Sequence, residues 1–126
     1  MKVLENLEVW KRSCRLSVNL YKSLASCKDY GFKDQITRSA LSIPSNIAEG
    51  YERDSVRSCV QFLKIAKGSC GELWTQLLIA REIQYIDDML CRHMEDEVKV
   101  VSKMLYKLIQ HFEKEQTTAW SLVTST

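Results

Sequence analysis

A chain of 126 residues, 45% apolar and 27% charged, is long enough to bury one hydrophobic core. Its formal net charge of +2 falls short of the strong basic footprint of a dedicated nucleic-acid binder. Four glycines and one proline disfavour a turn-rich all-β fold and suit long helices with few connections. The opening MKVLENLEVWKRSC has no uninterrupted apolar stretch, so no secretory signal is expected. No run approaches the roughly 20 apolar residues of a membrane span.

Hydrophobic spacing predicts four helices. The first runs from about Asn6 to Cys27, with Leu7, Trp10, Cys14, Tyr21 and Leu24 as its seam and Ser17 as the weak position. Gly31 marks a turn. The second helix then runs from Asp34 to Gly50, with Ile36, Ala40, Ile43 and Ile47 at four-three-four spacing on one side. Pro44, inside that pattern, lacks an N–H and crowds the carbonyl four residues back, so a kink or break is expected there. Asn46 reads as a local cap for backbone that Pro44 leaves unpaired. The third helix starts after Asp54 or Ser55 and reaches about Gln84. Its seam is Val56, Cys59, Leu63, Ala66, Cys70, Leu73, Leu77 and Ala80. The fourth opens after Asp87 and ends near Glu115, with Cys91, Met94, Val98, Val101, Leu105, Leu108 and Phe112 inward. Residues 116–126 are rich in Thr and Ser and read as a loose tail. The expected fold is an all-α, antiparallel up-down-up-down four-helix bundle over residues 1–115.

The apolar surface exceeds the ~100° stripe that a single bundle needs. Val9, Leu16 and Leu20 form a second arc beside the first helix's seam, and Leu41 and Ala48 lie away from the isoleucine stripe. Gly68, Gly71 and Thr75 share the face opposite the third seam, where glycine costs about 1 kcal/mol relative to alanine unless another backbone comes close. Val9, Leu16, Leu20, Gly68, Gly71 and Thr75 are therefore the expected interface of a homo-oligomer.

Charge is uneven. Residues 1–67 hold twelve Lys/Arg against seven Asp/Glu, whereas residues 68–126 hold six against nine. Lys11, Arg15 and Lys22 fall within about 40° on a helical wheel. Arg53, Arg57 and Lys64 align comparably around the start of the third helix. Such stripes can follow a phosphate backbone with salt-sensitive affinity and little base reading. They can equally be solvated faces, or partners of the acidic Glu95-Asp96-Glu97 segment. Trp10 and Tyr21 lie on the seam and read as core, not as stacking platforms.

Catalytic chemistry finds no set of nucleophile, base and orienter. His93 and His111 stand in no catalytic motif, and Gly68-Ser69-Cys70-Gly71 follows no strand, so it is no phosphate loop. Glu49 and Glu52 read as capping or pairing with Arg53. Cys14, Cys27, Cys59, Cys70 and Cys91 are odd in number and without metal-ligand spacing, which suits free thiols in the cytoplasm. Cys91 and His93, two apart, point in different directions on a helix, so neither a metal nor a cofactor is expected.

Several segments carry a family resemblance: Leu7 to Lys11, Gln35 to Ala40, Ser42 to Gly50 (SIPSNIAEG), Phe62 to Ser69, and Glu72-Leu73. In that order they resemble the four-helix bundle family of 23S rRNA intervening-sequence proteins. Thr37, Ser39 and Cys70 depart from its usual pattern, and the missing basic residue at Thr37 slightly weakens a nucleic-acid reading of that helix. The resemblance implies an antiparallel bundle, ring-like pentamers and an origin in ribosomal RNA gene insertions. It also implies similarity to the accessory variability determinant proteins of diversity-generating retroelements, which are basic pentamers that bind a reverse transcriptase and nucleic acid. On that pattern the candidate contacts are Lys11, Arg15, Lys22, Arg38, Arg53, Arg57 and Lys64, and Arg38 lies within a matched motif. Two expectations follow: a non-catalytic oligomer that binds RNA or DNA, and a structural oligomer that binds only protein.

Overall fold

Three of the four main helices start where a short polar side chain takes up an orphan backbone N–H, the exception being the helix that follows Leu7. Asp29 accepts from Phe32 N at 3.2 Å, Ser55 from Ser58 N at 3.1 Å, and Asp87 from Leu90 N at 3.2 Å. The computed structural model describes residues 2–124. The elements are α1 (Lys2–Glu5), α2 (Glu8–Ser23), α3 (Tyr30–Tyr51), α4 (Val56–Glu82) and α5 (Asp88–Thr124), with no strand among the described residues. α4 ends in a Schellman arrangement: Tyr85 N reaches Ala80 O at 2.9 Å and Gln84 N reaches Arg81 O at 3.1 Å. Gln84 takes the left-handed position (φ 62°), where glycine is the usual residue.

Packing joins α2 to α3, α3 to α4 and α4 to α5, and α2 against α5 closes the ring. Pairings run backward along neighbours: Ser39 with Glu72 and Ser42 with Ser69, then Arg81 with Glu95 and Lys64 with Glu113. Each long helix is thus antiparallel to its neighbours, and α2 and α4 sit on a diagonal with their outer faces pointing apart. The core includes Leu20, Ile36, Ile43, Ile47, Leu63, Leu73, Leu77, Met94 and Leu105.

Several expectations change. Gly31 is in the first turn of α3, because Asp29 caps the helix so that it begins at Tyr30, four residues before the expected start at Asp34. Pro44 does not split α3; it is buried within one continuous helix. Asn46 Nδ2 bridges to Ser42 O at 2.8 Å and to Ser42 Oγ at 2.9 Å, one turn back. α5 does not end near Glu115 but runs to Thr124, since nothing in Glu113-Lys114-Glu115-Gln116 terminates it. α1, which was not foreseen, places Leu4 in the core.

The largest correction is the rotation of α2. Its buried face is Val9, Ser13, Leu16, Ser17 and Leu20, while Tyr21 is 47% exposed and Trp10 and Cys14 are half-buried. Ser13 and Ser17 are small enough to let α2 settle close to its neighbours, and Ser13 Oγ satisfies itself on Trp10 O at 2.9 Å. Val9, Leu16 and Leu20 are therefore core residues of the single chain and offer no surface to another copy.

Candidate functional site

Rotation of α2 about its buried face fixes where its charges go. Lys11, Arg15 and Lys22 lie opposite Val9, Leu16 and Leu20 and are exposed. Along the axis they span roughly 16 Å, at 1.5 Å per residue. Among the described residues none of the three has a carboxylate within 4.0 Å. Half-exposed Val18 and Tyr21 lie among them.

The other candidate cations differ. Arg38 pairs with Asp34 at 2.9 Å, and Lys64 pairs with Glu113 at 3.2 Å. Arg53 pairs with Glu49 at 2.8 Å, and its guanidinium also lies 4.5 Å from the Phe62 ring centroid. Arg57 is exposed without an ion-pair partner among the described residues, but it stands on α4, on the far side of the bundle from Lys11. The seven candidate contacts thus do not form one surface. Three are brought together on α2, and the rest are dispersed and mostly neutralised.

Sequence reasoning passed over Arg12. Its guanidinium clamps Glu97 of α5 with Nε at 2.7 Å and Nη2 at 2.9 Å. Those N–H donors hold the Glu97 carboxyl below its ordinary pKa, with burial opposing. A recess of about 370 Å³ beside this clamp is lined by Arg12, Arg15, Asn19, His93 and Glu97. His111 lies 3.8 Å from Glu115.

A second polar region lies between α3 and α4. Ser42 Oγ meets Ser69 Oγ at 2.8 Å, Asn46 Nδ2 donates to Ser42, and Ser69 Oγ donates to Ile65 O at 3.2 Å. Ser39 Oγ reaches Gln35 O at 3.1 Å and Glu72 Oε2 at 3.4 Å. The cleft above this seam, about 560 Å³, is also lined by Arg38 and Gln76. Its signal was present in the sequence. Ser39, Ser42 and Asn46 recur at helical spacing, as do Ser69, Glu72 and Gln76 on the facing helix.

Burial disfavours the thiolate at Cys14, Cys59, Cys70 and Cys91. Burial pushes Cys70 and Cys91 up to about 12, and Cys91 Sγ donates to Leu77 O at 3.1 Å. Among the described residues no three His, Cys, Asp or Glu side chains gather as a metal site. No helix among them is long and apolar enough to cross a membrane. On α4, Gly68, Gly71 and Thr75 are exposed, and a Cβ placed on either glycine would meet nothing within 4 Å.

These features define a four-helix bundle with an open basic face on α2 and a hydroxyl-lined seam between α3 and α4. Residues 5–107 match the family model described as 23S rRNA-intervening sequence protein. The chain belongs to that family. It is also similar to a Bacteroides thetaiotaomicron protein of unknown function from the S23 ribosomal protein family. The two share 28% identity with a TM-score of 0.74, over 80% of this chain and 97% of the other. None of the curated proteins matches this chain.

Proposed function

We propose that this protein is a non-catalytic accessory factor that binds RNA or DNA along the outer face of α2. The observation that carries this reading is the trio Lys11, Arg15 and Lys22, aligned, exposed and without a carboxylate within 4.0 Å among the described residues. Three cations on one convex face suit phosphates better than base edges, so binding should be electrostatic and indifferent to sequence. The family description refers to a sequence intervening in 23S rRNA, which makes structured RNA the first ligand to try. A ribosomal RNA insertion or a reverse transcriptase would each be a fitting partner for such a factor.

The test is fluorescence anisotropy with structured RNA at low ionic strength. Expected is measurable binding whose log affinity falls with log salt at a slope of about −2 to −3, as three phosphate contacts require. Lys11→Glu with Arg15→Glu should abolish it while the thermal melt stays in place. Equal affinity in that double variant overturns the assignment to α2.

One observation favours a second reading, a homo-oligomer joined at Gly68, Gly71 and Thr75. This flank of α4 is open, and half-exposed Ile65 and Ile79 lie beside it. Two glycines mid-helix are costly unless a backbone approaches. A single-chain mass by light scattering at micromolar concentration sinks this reading.

A further inference from the structure

The rotation of α2 removes the reason for placing Tyr21 in the core. Its side chain is 47% exposed. On a helical wheel it stands about 80° from Lys11 and about 60° from Val18. Val18 is itself 50% exposed. Arg12, turned to Glu97 of α5, lies on the opposite edge of the helix, about 180° from Tyr21. The line of Lys11, Arg15 and Lys22 therefore runs between a clamped arginine on one side and an exposed phenol ring on the other. Along the axis Tyr21 stands about 9 Å beyond Arg15 and about 1.5 Å short of Lys22. Among the described residues its ring meets no other aromatic ring. Two other exposed tyrosines are engaged: Tyr85 donates to Asp29 at 2.7 Å, and Tyr106 accepts from Gln110 at 3.1 Å.

We infer that this face takes unpaired nucleic acid, with Tyr21 stacking on one exposed base while Arg15 and Lys22 hold the phosphates beside it. This ligand class rests on α2 being a nucleic-acid face, and narrows its ligand from any polyanion to an unpaired segment. In a duplex the bases are stacked on one another, and a side chain on a convex helix face reaches the phosphates first. In a single strand each base offers a free π-face, and a tyrosine ring accepts any of the four bases. Val18 adds apolar surface beside the ring. Charge alone predicts the reverse order, since a duplex carries its phosphates densely, one per about 1.7 Å of axis. A preference for single strands therefore reports the ring and not the cations.

Fluorescence anisotropy of the full chain at low ionic strength tests this, with a short single-stranded RNA of mixed sequence and the same strand in a blunt duplex as probes. Expected is about fivefold tighter binding of the single strand. Tyr21→Ala should weaken the single strand about fivefold and leave the duplex within about twofold. The salt slope should not change, because no phosphate contact is lost. Tyr21→Phe should keep the preference, since the ring stacks without its hydroxyl. Lys11→Glu with Arg15→Glu should weaken both probes. A duplex preference in the unaltered chain overturns the stacking and leaves the basic face standing. So does a single-strand affinity unchanged in Tyr21→Ala, or a loss there that both probes share equally. Binding of neither probe by the unaltered chain overturns the basic face and the stacking together.

Discussion

The outer face of α2 and the α3/α4 seam are both polar, and they are polar in opposite ways. On α2 the groups point outward, carry like charge and make no ion pair within 4.0 Å among the described residues. In the seam the groups face one another and spend their hydrogens internally. An open face of like charges adds little to stability and can be spent on a ligand. A knitted seam holds two helices in register and has few hydrogens to offer a ligand. The most specific string in the chain, SIPSNIAEG, feeds the seam and not the charged face. The motif therefore marks how α3 meets α4, and the charge stripe marks something independent of it.

The contrast breaks most sharply at Gly50. A Cβ there would stand 3.1 Å from the Cys59 carbonyl oxygen and 3.2 Å from Phe62 Cβ, both fixed by the α4 backbone. Gly50→Ala should lower stability by about 1 to 2 kcal/mol, because overpacking exceeds the gain in helix propensity. Replacing Lys11, Arg15 and Lys22 by alanine should shift stability by no more than about 0.5 kcal/mol each. Denaturant midpoints compare the two directly, and equal losses on both sides would erase the distinction. Asn46→Ala comes next. It removes both donors that tie one turn of α3 to Ser42, at a cost of about 1 kcal/mol.

Legibility followed the same divide. Ile36, Ala40, Ile43 and Ile47 are buried as their spacing required, and so is the α4 series from Cys59 to Ala80; Val56 alone is left 39% exposed. Those helices carry one apolar stripe each, so only one rotation hides it. α2 carries two adjacent arcs, and the bulk of Trp10 and Tyr21 favoured the wrong one. Packing chose the arc punctuated by Ser13 and Ser17, because small residues permit closer approach. The charge stripe on α2 survived the error, since Lys11, Arg15 and Lys22 are exposed under either rotation. The Arg12–Glu97 clamp was not readable, because it joins residues 85 apart and depends on which helix neighbours α2.

Gly68 probes the remaining open face. With space around it, Gly68→Ala should raise stability by about 0.5 to 1 kcal/mol through helix propensity alone. If a second copy packs there, the same change should instead lower the oligomer's mass in light scattering as the chain is diluted.

The smallest expected effect lies where α2 meets α5, and it carries two signs. Glu97 is held below its ordinary value of 4.5 by the Arg12 donors. Its contribution to stability is complete above pH 4.5 and is lost as the pH falls through the depressed value. Glu97→Gln should mimic that loss at neutral pH, at about 0.5 kcal/mol for a pair this near the surface. The same change releases Arg12 beside Arg15, adding one cation to the edge of the basic face. Polyanion affinity should then rise about two- to fivefold and the salt slope should steepen by up to about one contact, while the melt moves slightly down. A variant that loses affinity together with stability would mean that the face on α2 needs the clamp for its shape. Unchanged affinity would place the polyanion farther along α2, toward Lys22.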